Sequence, residues 1–416
     1  MAEPKVRFKR DDGTLYPDLR NATMGDFYTE RNERGEKGLP MLTVSIHSGI
    51  SDGELDEEEL GKRVNRSADV SLYKKAVKGD LVFNMMRAWQ GAVGSTKSTG
   101  MVSPAYIVAL PNKEIDPTFM NYYVQTKTII NRFNRLSYGA LDFRKRLYWD
   151  SFIAAEVNIP VIEEQQKIAD FLSSVDEVIA VSEQEVANLE TQKKAVMKKV
   201  FSQEVRFKKE DGTYYPKWKE QSFEKTFEPL NNNTFSRDML NYTAGPALNI
   251  HYGDVLVKYG DVCDIDKDVL PFVNEGQDVT KYAALRDGDI VLADTAEDEA
   301  VGKAIEVINI QDRIVVSGLH TIACRPRIAF SLKYLGYYLN SAEFHDQLRP
   351  FIQGIKVSSI GRKNISGVLV KYPSDLEEQR LIANFLSNFD EAISAAKKEL
   401  ELWKELKKGL LQQMFV

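Results

Sequence analysis

Arginine and lysine gather late in each half of this 416-residue chain. In the first half Arg132, Arg135, Arg144, Lys145 and Arg146 fall close together, with Tyr138, Phe143, Tyr148 and Trp149 interleaved. In the second, Arg349, Lys356, Arg362 and Lys363 surround the loop from Gly354 to Gly361, which carries Ser358. Such loops can neutralise phosphates and fix a protein's register on a duplex. The bland alternative is a solvated surface charge cluster, but recurrence in both halves favours nucleic acid. A second pair of loops differs in charge. Met85–Gly94 offers Arg87, Trp89 and Gln90, and an arginine or glutamine there can read guanine or adenine edges in the major groove. Ala293–Gly302 offers Asp294, Glu297, Asp298 and Glu299, which repel phosphates. One or two of these acids would accept from cytosine N4; equally, the loop is solvated or faces another subunit.

Motifs for catalysis are missing. The sequence holds no phosphate-binding Gly-x-x-x-x-Gly-Lys-Ser/Thr, no Gly-x-Gly-x-x-Gly, no His-Glu-x-x-His and no Gly-x-Ser-x-Gly. The Asn/Asp-Pro-Pro-Tyr/Phe segment of adenine methyltransferases is also absent. The four histidines, His47, His251, His320 and His345, are scattered, and His320 in its apolar run reads as a hydrogen-bonded core residue. Cys263 and Cys324 make no disulfide framework or zinc spacing and read as reduced thiols. A hydrophobic fraction of 43% and a charged fraction of 28% suit a globular protein of several domains. No signal peptide or membrane-spanning run is apparent, so a cytoplasmic location without membrane contact is expected. The net charge of −6 weakly opposes nucleic-acid binding. The field on one face decides that question, and partner subunits would supply part of the positive charge.

The elements that must position these loops are announced by internal repetition. Residues 6–17, VRFKRDDGTLYP, return at 205–216 as VRFKKEDGTYYP, with nine of 12 positions identical at an offset of 199. Glu163–Ile179, EEQQKIADFLSSVDEVI, returns at Glu377–Ile393 as EEQRLIANFLSNFDEAI, with 11 of 17 identical at an offset of 214. The intervening region is therefore 15 residues longer the second time. Each long segment carries an apolar 4-3 repeat. The first runs Ile168, Leu172, Val175, Ile179, Ser182, Val186, Leu189, Lys193, Val196, Val200. The second runs Ile382, Leu386, Phe389, Ile393, Ala396, Leu400, Trp403, Lys407, Leu410, Met414. A 3.5-residue period seeks a helical partner, and about 40 residues make a helix of about 60 Å. A lone lysine interrupts each stripe at the same place. Ser374 with Glu377 fits a capping box for the second helix; Pro160 demands a different start for the first. If a pseudo-twofold axis relates the halves, the pair runs antiparallel.

Between these landmarks, residues 21–160 and 217–372 mix strands and helices. Gly79-Asp-Leu-Val-Phe is echoed by Gly288-Asp-Ile-Val-Leu, and Ala105–Leu110 by Leu319–Cys324. A helix over Pro117–Arg135 has its counterpart in Phe330–Leu348. A repeated scaffold with diverged lobes suggests two readers of different targets.

The Glu-Glu-Gln-x-x-Ile-Ala-x-Phe-Leu-Ser-x-x-Asp-Glu-x-Ile pattern, entered through Ile159-Pro160 and Tyr372-Pro373, resembles the conserved regions of type I restriction-modification specificity subunits. The Pro-Lys-Val-Arg-Phe opening and Gly100–Tyr106 are also similar to that family, and the resemblance spans the chain. It implies an α+β fold with two globular target recognition domains in pseudo-twofold arrangement, joined by two long antiparallel coiled-coil helices. The expected boundaries are 1–160 for the first arm and recognition domain, 161–203 for the first helical spacer, 204–373 for the repeated arm and second domain, and 374–416 for the second spacer. Such a subunit is not an enzyme. It reads a bipartite double-stranded DNA site, the helices setting the gap, and recruits two modification subunits and two restriction subunits. No cofactor is expected in this chain; S-adenosylmethionine, ATP and Mg2+ belong to the partners. The alternative is an adaptor of the same architecture used only for methylation or as a protein-binding scaffold.

Overall fold

The computed structural model describes residues 4–46, 49–55, 69–139, 145–298, 300–354 and 357–415. The chain divides into two compact units, Met1–Glu183 with Lys398–Val416, and Gln184–Lys397. Each unit is built on an antiparallel sheet buried on both faces and holds part of both long helices.

In the first unit the sheet runs in the order Tyr28–Glu30, Tyr106–Pro111, Leu81–Asn84, Val93–Ser95, all antiparallel. Alternation along the central strand sends Leu81 and Phe83 into one apolar cluster and Val82 into another. The strand begins at a tight turn, with Gly79 at φ 95°, a conformation that side-chain-bearing residues resist. Asp80 then accepts from Val77 N at 2.7 Å and from Arg31 Nε at 2.6 Å. Helices Pro117–Val124 and Lys127–Leu136 cover one face. The single helix expected over Pro117–Arg135 is thus broken, because Thr126 caps a new start: its backbone is extended and its hydroxyl accepts from Ile129 N.

The second unit repeats the plan with Phe227–Pro229, Thr321–Pro326, Ile290–Ala293, Ala304–Ile308, and adds Val262–Asp264 as a parallel edge. Ile290 and Leu292 enter one cluster, Val291 and Ala293 the other. A second sheet of Leu240–Asn241, Phe272–Val273, Leu248–Ile250 and Val315–Ser317 has no four-stranded counterpart among the described residues of the first unit. The helix expected over Phe330–Leu348 is again two short ones, Tyr334–Leu339 and Ala342–His345. Cys263 and Cys324 are free and buried in the two clusters, and burial pushes both thiols up. His320 is not a core residue: it ends a turn at φ 56° with its ring about half exposed. Its apolar run is interrupted there by the turn that opens the Thr321 strand.

The long helices are continuous over Ile162–Phe201 and Leu376–Met414. The second is capped by Asp375, whose carboxylate accepts from Glu377 N at 2.9 Å, one residue beyond the expected Ser374. In the first unit Lys407 pairs with Asp176, and Lys404 with Glu183 at 3.0 Å. In the second Lys193 pairs with Asp390, and Lys397 with Glu190 at 2.7 Å. Within each unit, later positions on one helix meet earlier positions on the other, so the helices run antiparallel. Of the stripe, Ile168, Leu172, Val175, Leu400 and Met414 are buried in the first unit, as are Val186, Val200, Ile382, Leu386 and Ile393 in the second. Ile179, Leu189, Phe389 and Trp403 are half-buried.

The echoed segments make equivalent joints. Arg7 forks onto Glu164 through Nε at 3.1 Å and Nη2 at 2.6 Å, and Phe8 meets Phe171 edge-on at 5.6 Å. Arg206 lies 3.7 Å from Glu378, and Phe207 meets Phe385 at 5.8 Å. Gln165 donates to Pro160 O at 2.8 Å, and Gln379 to Pro373 O at 2.9 Å. The repeated Glu-Gln pair therefore holds the arm and the incoming chain at each helix start. Val6 N donates to Gln413 O, as Val205 N does to Lys199 O. The N-terminal arm thus meets the last helix where the internal arm follows the first helix covalently.

Candidate nucleic-acid interface

The structure brings the two suspect loops of each lobe together. In the first unit Leu147 N donates to Met85 O at 2.9 Å, and Tyr138 and Arg146 form a reciprocal backbone bridge. Met85–Gln90 is thereby fastened to the basic segment after the second helix. Arg87 and Gln90 are exposed; Trp89 is half-buried, its indole donating to Met86 O at 2.9 Å. Gly91, at φ 105°, reverses the chain next to Ile130. Arg135 and Arg146 are exposed and Lys145 half-buried. Arg132 has another task, donating to Glu156 O at 2.5 Å and tying the helix to the strand that leads into the first long helix. Arg144 lies outside the described residues.

The second unit builds the same junction with other side chains. Ile360 N donates to Asp294 O at 2.9 Å, and Ser358–Ser359 pairs with Thr295–Ala296. Ser358 therefore sits beside the acidic loop. Asp294 accepts from Thr295 Oγ1 at 2.7 Å and lies 3.5 Å from His320 Nδ1; Asp298 accepts from Ala300 N at 2.9 Å. Those carboxylates are partly used within the loop. Glu297 is exposed, and Glu299 lies outside the described residues. Arg349 is exposed and pairs with Asp346 at 3.2 Å; Lys363 is exposed. Arg362 donates to Leu230 O at 3.0 Å and Asn232 Oδ1 at 2.9 Å, a brace between loops. Lys356 lies outside the described residues. Residue reading missed His320 and Tyr252, whose rings meet edge-on at 5.3 Å beside Asp294. A turn glycine at 318 just before an isolated histidine was the available signal.

The second unit also holds largely buried charges. Lys193 faces Asp261 at 2.6 Å as well as Asp390. Burial lowers its ammonium, but the two carboxylates outweigh this and raise it; burial raises Asp261. His251 is held below the usual range by burial, its Nδ1 accepting from Gly253 N at 3.1 Å. Among the described residues no group of His, Cys, Asp and Glu is placed to hold a metal ion, and no helix is long and apolar enough to cross a membrane.

A family model described as the type I restriction modification DNA specificity domain matches residues 23–191. The chain is 22% identical over 406 residues to the type I restriction enzyme MjaX specificity subunit of Methanocaldococcus jannaschii, covering 92% of this chain and 88% of that one. It is 23% identical to the MjaVIII specificity subunit of the same organism, over 72% and 69%. The chain is thus similar to type I restriction-modification specificity subunits, through the domain at residues 23–191 and along most of its length. Its fold agrees with that of the S subunit from M. genitalium, with a TM-score of 0.55 at 14% identity over 100% of this chain and 99% of that one. A chain from a structural study of type I assembly and conformational transition gives 0.57 at 16% identity, over 96% and 98%.

Proposed function

We propose that this chain is a specificity subunit that reads a split, asymmetric DNA site, one half with each lobe, and presents it to two modification subunits docked on the helices. Two restriction subunits complete the assembly, and S-adenosylmethionine, ATP and Mg2+ act in those partners. The carrying observation is the duplicated loop junction, Leu147 on Met85 and Ile360 on Asp294, which holds opposite chemistry in the two lobes. Arg87 and Gln90 are the base readers of the first lobe, with Trp89 bracing their loop and Arg135, Lys145 and Arg146 on phosphates. In the second, Arg349, Ser358 and Lys363 meet the backbone beside the acidic loop. Arg132 and Arg362 brace the readers. Residues 1–160 and 204–373 then form the reading domains, and 161–203 and 374–416 the spacers. Dissimilar lobes read dissimilar half-sites, and continuous helices set a fixed gap.

The test is co-expression with the modification subunit, followed by methylome mapping. A bipartite methylated motif is expected. Removing one heptad from both helices takes out about 10 Å, roughly three base pairs, of spacer while leaving each half-site unchanged. An unchanged gap would refute the ruler, and the absence of any bipartite motif would point instead to a protein-binding scaffold.

A further inference from the structure

Each apolar stripe is interrupted by one lysine, and both lysines meet an aspartate of the opposite helix and a lobe tyrosine, Lys193 also facing Asp261 at 2.6 Å. In the first unit Lys407 pairs with Asp176 of the opposite helix, its Nζ 5.5 Å from the Tyr122 ring centre. Tyr122 Oη donates to Asp176 Oδ2 at 2.7 Å and lies 3.5 Å from Ser173 Oγ. In the second unit Lys193 meets Asp390 at 2.5 Å, 5.0 Å from the Tyr337 ring. Tyr337 Oη donates to Asp390 Oδ2 at 2.6 Å and lies 3.1 Å from Ser387 Oγ. The lysines, aspartates and serines of the two clusters correspond at the 214-residue offset. The tyrosines come from lobes whose sequences have otherwise diverged. Each cluster therefore joins three elements: a lobe helix and both long helices. The lysine side chains are only 28% and 12% exposed.

We propose that these two Lys-Asp-Tyr clusters lock the register of the helix pair, and with it the number of base pairs between the half-sites. The inference rests on the helices setting the gap. Apolar knobs such as Leu, Ile and Val fit one heptad's holes nearly as well as the next's, so an apolar seam alone tolerates sliding. A polar residue at a seam position specifies one register, at some cost in stability. A slip by a heptad would take each ammonium away from the aspartate of the opposite helix in a mostly buried site, which is strongly unfavourable. It would also pull the aspartate off the lobe's tyrosine, so lobe position and helix register move together.

The test replaces both lysines with methionine, similar in length and able to fill the seam. In methylomes from cells co-expressing the modification subunit, wild type gives one gap length. K193M/K407M gives several gap lengths or a displaced one, with both half-sites intact. The charge swap D176K/K407D, paired with wild-type Lys193, restores a single length. A single wild-type gap in K193M/K407M overturns the inference. Disulfide formation between E183C and K404C, and between E190C and K397C, reads the register on the chain itself. It falls severalfold when the lysines are methionine, and undiminished formation overturns the lock even where the variant fails to assemble. Should wild type methylate no bipartite motif, the gap-setting reading falls on its own, and the disulfide contrast still judges the lock.

Discussion

In the first lobe the helix behind the sheet starts at Pro117 and is capped by its own neighbour, Asp116, which accepts from Phe119 N at 2.8 Å. In the second the equivalent helix starts at Tyr334 after Lys333 in a left-handed turn, and no local side chain caps it. Glu306, on a sheet strand, reaches across to accept from Lys333 N at 2.6 Å and Gly336 N at 2.9 Å. The Gly-Asp turns differ in the same way. Asp80 takes its guanidinium from Arg31, just past an edge strand, whereas Asp289 takes Arg325, from the adjacent strand, at 2.7 and 2.8 Å. Buried backbone donors and buried carboxylates must find partners. What is fixed between the lobes is the need, and the source of the partner is free to drift.

The largest expected effect comes from breaking the buried ion pairs. Arg31→Leu and Arg325→Leu each leave a buried aspartate unpaired, at about 3–5 kcal/mol. Denaturant unfolding, with hydrogen exchange to assign the loss to one lobe, measures it. Glu306→Ala comes next: two backbone donors lose their acceptor, at about 3 kcal/mol, against about 1 kcal/mol for Asp116→Ala. These caps also separate by pH. Burial raises Glu306 to about 7, from an ordinary 4.5. The folded lobe keeps a proton that the unfolded chain releases, so this group's contribution is full below pH 4.5 and is lost as pH rises through about 7. Stability of the second lobe should show that slope, and Glu306→Ala should flatten it. At the arm joints, Arg7→Ala should cost more than Arg206→Ala, about 2 against about 1 kcal/mol, because only Arg7 forks onto its glutamate within hydrogen-bond range. Equal losses in melting of the two variants would erase that distinction. The smallest effect is Lys363→Ala, which lowers the salt dependence of DNA binding by the complex by about one phosphate contact without altering the motif. A changed motif would make Lys363 a base reader.

Much of the scaffold was legible because it is periodic or duplicated. The Lys193 and Lys407 interruptions were visible as an anomaly in the stripe, though not their partners. The paired loops were legible as charge clusters, but Arg132 and Arg362 looked like the others until their carbonyl acceptors were seen. Nothing local separates a guanidinium bracing a loop from one facing solvent. The helix breaks at Thr126 and after Leu339 were hidden because apolar spacing continues through them, and His320 was misplaced because its neighbours are apolar.

By itself, then, the sequence determined two arms, two lobes, two long helices and their order, since heptad spacing and repeated motifs depend only on neighbours along the chain. Tertiary structure decided which charges are spent internally, which loops meet, where Glu306 finds its donors and which aspartate each stripe lysine meets. Those outcomes depend on groups far apart in the chain and on the demand that every buried polar group be satisfied, a condition that exists only once the chain has folded.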